Sequence, residues 1–115
     1  MRRIDLNSDA TSIGDDLRLE YGGEPFTGEV VEELVPGQLL SQEFYVDGLP
    51  HGSTREWWPD GRLKSEGENY RGRPCGVLRR WHPDGRPATA ILYDNHGASV
   101  AVRDWAHLGL QAPSP

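Results

Sequence analysis

The sequence has little cysteine, no long apolar run and few uninterrupted segments. Its 115 residues hold one Cys, Cys75, which excludes an internal disulfide and a cysteine-rich zinc site. So sparse a use of cysteine suits a cytoplasmic chain. No run approaches the roughly 20 apolar residues of a membrane span, and Arg2 and Arg3 precede no apolar stretch of signal-peptide length. No membrane partner is expected. Between Gly22 and Gly97 no stretch free of Gly and Pro is longer than the ten residues from Gln38 to Asp47. A helical bundle is thereby excluded, because both residues destabilise helix interiors. A doubly wound α/β fold is disfavoured for the same reason, since each crossover needs a helix.

What is present points to β structure. The chain carries 14 Gly and 9 Pro, but also 4 Trp, 4 Tyr and 2 Phe. Disordered chains are poor in large aromatics, so the Gly and Pro read as turns of a folded β protein. The length suits one domain. The net charge of −6 is unevenly spread. Residues 1–54 carry 3 Arg against 11 acids, and residues 55–86 carry 8 Lys and Arg against 5 acids. An acidic first half and a basic middle suit a partner of mixed charge, or a second copy of the chain. An acidic chain is a poor match for nucleic acid.

The punctuation recurs with a period of 24. Gly28, Gly52 and Gly76 share a phase, as do Gly37, Gly61 and Gly85. Arg55 and Arg79, Trp57 and Trp81, Pro59 and Pro83, and Asp60 and Asp84 keep the same spacing. In the Pro-Asp-Gly turn, proline presets φ and glycine accepts a positive one. Aromatic and branched residues on either side suit strands. Each unit therefore reads as strand, Asp-Gly hairpin, strand, then a longer Gly-containing turn back. The expected fold is all-β: an antiparallel hairpin-repeat array in one twisted sheet, about three units long. Leu17 to Tyr21 reads as a leading strand and Val100 to Trp105 as a closing one, running into a short helical turn through Leu108. Residues 1–16 read as a lead-in, 17–108 as the repeat domain and 109–115 as a flexible tail. Both faces of the strands carry large apolar groups beside charges, which favours covering by another copy, a homodimer.

The spacing of Tyr45, Asp47, Gly48, Gly52, Trp57, Trp58, Asp60, Gly61 and Leu63 resembles the bacterial variant of the MORN repeat. Tyr70, Gly72, Gly76, Trp81, Asp84 and Gly85 carry it into the third unit, which departs at His82 and Pro87. The first unit departs further, with Glu33 and Leu34 at the aromatic positions. The resemblance spans about residues 17–97 and implies two functions. One is a lanthipeptide-maturation enzyme that forms a lysinoalanine cross-link by adding a Lys amine to dehydroalanine, with substrate-assisted proton transfer. The other is an antitoxin or immunity protein that blocks a toxin domain without catalysis. Neither needs a cofactor.

The residues themselves show no nucleophile elbow, phosphate loop or metal-ligand spacing. Cys75 lies in a turn context. His51, His82, His96 and His107 form no ligand pair, so no metal site is expected. Recognition chemistry is richer. Trp57, Trp58, Trp81, Tyr45, Tyr70 and Tyr93, interleaved with Arg55, Arg79 and Arg80, form a candidate peptide-binding set, since Trp, Tyr and Arg dominate binding anchors. The plain alternative for Trp57 and Trp81 is the repeat's own packing ladder. His82, His51 and Glu56 are the candidates for proton transfer. Glu29, Glu32, Glu33 and Asp47 are the acids available to face a basic toxin site.

Overall fold

The structure, a computed structural model, describes residues 2–104. Eleven strands form: β1 (Arg3–Asp5), β2 (Thr11–Ile13), β3 (Leu19–Tyr21), β4 (Glu24–Pro25), β5 (Gly28–Val35), β6 (Gln38–Val46), β7 (Leu49–Trp57), β8 (Leu63–Tyr70), β9 (Arg73–Trp81), β10 (Pro87–Tyr93) and β11 (Ser99–Asp104). No helix is present among the described residues. From β5 onward the strands pair in sequence order, each antiparallel to the last. The 24-residue units are the hairpins β5–β6, β7–β8 and β9–β10, as the spacing indicates.

The expected order of long and short turns fails in part: Pro36-Gly37 is short and the β10–β11 connection is long, as expected, whereas the turns between them are reversed. Pro-Asp-Gly lies in the longer connection, in which Trp58 donates its N–H to the Arg62 carbonyl at 2.8 Å and Gly61 donates to the Trp58 carbonyl at 2.9 Å. His82, Arg86 and Gly85 repeat both bonds at 2.8 and 2.9 Å. The presumed long return is a two-residue turn, Asp47-Gly48 or Arg71-Gly72, with both residues at positive φ. This is the primed turn whose twist matches a hairpin. Gly52 and Gly76 are not turn residues. They sit inside β7 and β9 at positive φ, where the registers with β6 and β8 shift. Gly48 and Gly72 are thus turn residues, and Gly52 and Gly76, four residues on, are bulge residues.

Two further departures concern the start of the chain. The segment read as a lead-in contains β1, which joins the edge of the main sheet parallel to β5, and β2. The leading strand begins at Leu19. Leu17 lies before it at a φ of 64° and is 80% exposed. That strand does not extend the array but forms a second, three-stranded sheet in the order β2-β3-β4. At the other end, the closing strand β11 is described to Asp104. The expected helical turn through Leu108 and the tail 109–115 lie outside the described residues.

The small sheet lies against one face of the large one, over β1, β5 and β6. Ile4, Leu19, Phe26 and Val30 form a buried cluster, with Tyr21 and Tyr45 packed beside it. The Asp47-Gly48 turn is the anchor. Leu19 donates its N–H to the Gly48 carbonyl at 2.9 Å, and Gly48 donates to the Phe26 carbonyl at 2.8 Å. A Cβ on Gly48 would stand 2.7 Å from the Leu19 carbonyl oxygen, so only glycine allows that approach. Beyond Val31 no hydrophobic side chain is buried among the described residues. The molecule is a plate of 48 × 35 × 21 Å with a radius of gyration of 15.6 Å, against about 13 Å for a compact chain of 100 residues.

Candidate binding face

Because strand side chains alternate and cross-strand partners share a face, the registers assign each candidate to a side. One rung runs Asp5, Val31, Gln42, Arg55, Glu66, Arg79, Ala90, Arg103 across all eight strands. Arg55, Arg79 and Arg103 are 24 residues apart and occupy every second strand, about 10 Å from one to the next. Trp57 and Trp81 lie two residues further along β7 and β9 on the same face. Both are half-buried, so they are neither closed in a core nor fully solvated. Arg55 Nε bonds Glu66 Oε2 at 3.0 Å. On the same side of the sheet, toward β1, Arg3 Nε meets Glu29 Oε1 at 2.6 Å. The Arg3 hydrogen bond holds the Glu29 carboxyl below its ordinary range despite some burial.

The opposite face carries the rung Glu32, Ser41, Glu56, Ser65, Arg80, Thr89, Asp104. Ser65 is buried and donates its hydroxyl to Glu56 Oε1 at 2.8 Å. Beside this rung Tyr45 donates its hydroxyl to Glu43 Oε2 at 3.3 Å. Burial raises the Glu43 carboxyl, with the charge of Glu56 adding to it and the Tyr45 bond opposing it. Burial and the neighbouring Glu43 push the Tyr45 hydroxyl up to about 12.

The candidate residues therefore divide. Arg55, Arg79, Trp57 and Trp81 share one face, whereas Tyr45, Glu56 and Arg80 lie on the other. His51 and Tyr70 meet at the two-residue-turn end, their rings 5.1 Å apart. There His51 Nδ1 accepts the Arg71 N–H at 3.1 Å. Tyr93 ends β10, paired with Gly76 and Ser99. Trp58 and His82 lie at the far end, in the Pro-Asp-Gly connections. Lys64 Nζ stands 4.8 Å from the Trp58 ring centroid, and Trp58 Nε1 is buried without an acceptor. The proton-transfer candidates are not brought together: five residues of strand, about 17 Å, separate His51 from Glu56, and His82 lies beyond the end of β9. Among the toxin-facing acids, Glu29 is paired with Arg3, Glu33 accepts the Gly37 N–H at 3.1 Å, and the Asp47 carbonyl binds Arg18 at 2.7 Å. Glu32 lies on the face opposite the Arg rung, in line with Ser41 and Glu56. No group of three or more His, Cys, Asp or Glu residues among the described residues is arranged to hold a metal.

Two members of the Arg rung escape a motif-centred reading. Arg103 was marked only by its 24-residue distance from Arg79, and Glu66 only by its register. The same period reaches Trp105 and Gly109 in the sequence, both outside the described residues. Compared with known proteins, the chain matches no family model, no curated protein and no solved structure.

Proposed function

We propose that the chain is a polypeptide-binding module that works without catalysis, in the manner of an antitoxin or immunity protein of MORN-like build. One observation carries the reading. From β7 to β11 the sheet is a single layer in which no hydrophobic side chain is buried, while half-buried Trp57 and Trp81 are aligned with Arg55 and Arg79. An isolated sheet layer has too little core to be self-sufficient, and aromatic and Arg side chains are the anchors a protein partner uses. The separation of His51, Glu56 and His82 removes a protein-supplied proton acceptor and leaves lysinoalanine formation dependent on a base carried by the substrate. Binding needs no such assembly.

The test is co-expression with the proteins encoded beside the gene. An equimolar complex on size-exclusion chromatography, lost when Trp57 and Trp81 are both changed to Ala, supports the reading. A dehydrated lanthipeptide with a free Lys and a dehydroalanine provides the opposing arm. Ring closure does not change mass, so it is scored as loss of amine labelling. Acceleration over buffer would overturn the binding-only reading in favour of the cyclase.

A further inference from the structure

The Arg rung is not uniform along its length. Between Arg55 and Arg79 stands Glu66, which bonds Arg55 at 3.0 Å. Arg79 faces the same Glu66 across the strand pair, yet it is exposed and has no hydrogen-bond or ion-pair partner among the described residues. On its other side stands Ala90, and beyond that Arg103 closes the rung. The small Ala90 side chain leaves the floor low beside a guanidinium. One step along the strands, the next rung on this face is apolar: Leu92 pairs with Val77 and with Ala101, and Leu92 is 43% exposed. One step the other way stands Trp81. Strands β9 to β11 contain four Arg and one acid, Asp104, and Asp104 pairs with Thr89 on the opposite face. So the strands of this block carry no acidic side chain on the Trp81 face, in a chain whose net charge is −6.

We infer that the Trp81 face of β9–β11 is a docking surface for an acidic strand of a partner protein, laid along β10 with a carboxylate on Arg79 and an apolar side chain two residues on against Val77 and Leu92. The inference rests on the binding reading above and names its surface and partner chemistry. The two-residue step follows from strand period: residues i and i+2 share a face about 7 Å apart, the distance between the Arg79 and Val77 rungs. A planar guanidinium is suited to a carboxylate because two parallel N–H groups reach both oxygens. A second copy is the poorer occupant. A two-fold stacking of this block on itself with the axis along β10 sets Arg79 of one copy against Arg103 of the other, and like charges facing each other are costly.

Neighbouring residues supply the control. Arg79 and Arg80 are both exposed and adjacent in sequence, but they point to opposite faces. The probe is an octapeptide, Glu-Thr-Val-Thr repeated twice, capped at both ends, titrated at low salt and followed by amide chemical shifts. The expected result is shift changes confined to β9–β11, with affinity lowered at least tenfold by Arg79→Glu, partly kept by Arg79→Lys and unchanged by Arg80→Glu. Far-UV circular dichroism and thermal midpoint verify that each variant is folded. Equal binding of the same peptide with Lys for Glu, equal loss in Arg79→Glu and Arg80→Glu, or no shift change at all would overturn the inference. A co-expressed partner complex that survives Arg79→Glu but fails with Arg80→Glu would leave the binding reading standing and move the surface to the other face.

Discussion

Residues 2–48 and residues 49–104 are built from the same kind of hairpin, yet only the first region has an inside. There, β2-β3-β4 covers Ile4 and Val30 with Leu19 and Phe26. In the second region no other element covers either face of the sheet among the described residues, and Ser65 is the polar residue buried as a whole. The difference shows that a repeat fixes strands and turns without fixing burial. Burial came from residues that do not repeat. Stability is accordingly concentrated where the sequence is irregular, and the periodic Trp and Arg side chains are left half-buried or exposed.

Substitutions should separate the two regions by size of effect. Phe26→Ala removes a fully buried ring from the covered region and is expected to cost about 3–5 kcal/mol. Urea denaturation measures it, and a loss below about 1 kcal/mol would erase the contrast. Gly48→Val is expected to cost about 2 kcal/mol or more, because Gly48 lies at a φ of 79° and a Cβ there meets backbone. Its signature is loss of native near-UV signal from the Tyr21 and Tyr45 environment. Trp81→Ala, in the open region, should cost only about 1–2 kcal/mol, since its ring is half-buried. An effect as large as that of Phe26→Ala would mean that Trp81 is core rather than surface. The smallest effect is the pH dependence within the covered region. Burial raises the Glu43 carboxyl, so its charged form weakens the fold above that raised value, and the penalty disappears as pH falls toward the unfolded value. Glu29 has the opposite sign: its lowered carboxyl adds stability above the unfolded value, lost as pH falls through the lowered one. Glu43→Gln should therefore raise the thermal midpoint at neutral pH and leave it unchanged in acid, while Glu29→Gln should lower it at neutral pH.

The sequence made the repeating hairpins legible because glycine and proline mark turns directly. Asp60-Gly61 and Asp84-Gly85 gave the place of their turns but not their length. Gly52 and Gly76 were misread as turn residues because a bulge and a turn ask for the same positive φ. The small sheet was hidden because Thr11–Ile13 and Glu24–Pro25 are too short to display an alternation. The candidate residues were chosen by type, and Trp57, Trp81, Arg55 and Arg79 share one face. Arg80 and Tyr45 fall on the other face because a one-residue step reverses a strand side chain, and composition is blind to that step. His51 and His82 were drawn together by their chemistry, not by a spacing that joins the two ends of a strand.

The position of the core has a consequence for synthesis. Chains emerge from the ribosome N-terminus first, and here residues 2–48 hold the buried cluster found among the described residues and the turn that locks it. Each later hairpin adds onto an edge that already exists, by contacts local in sequence. Growth then resembles a zipper running toward the C-terminus. A nascent chain stalled after Val46 lacks the Gly48 latch, and one released a few residues later has it.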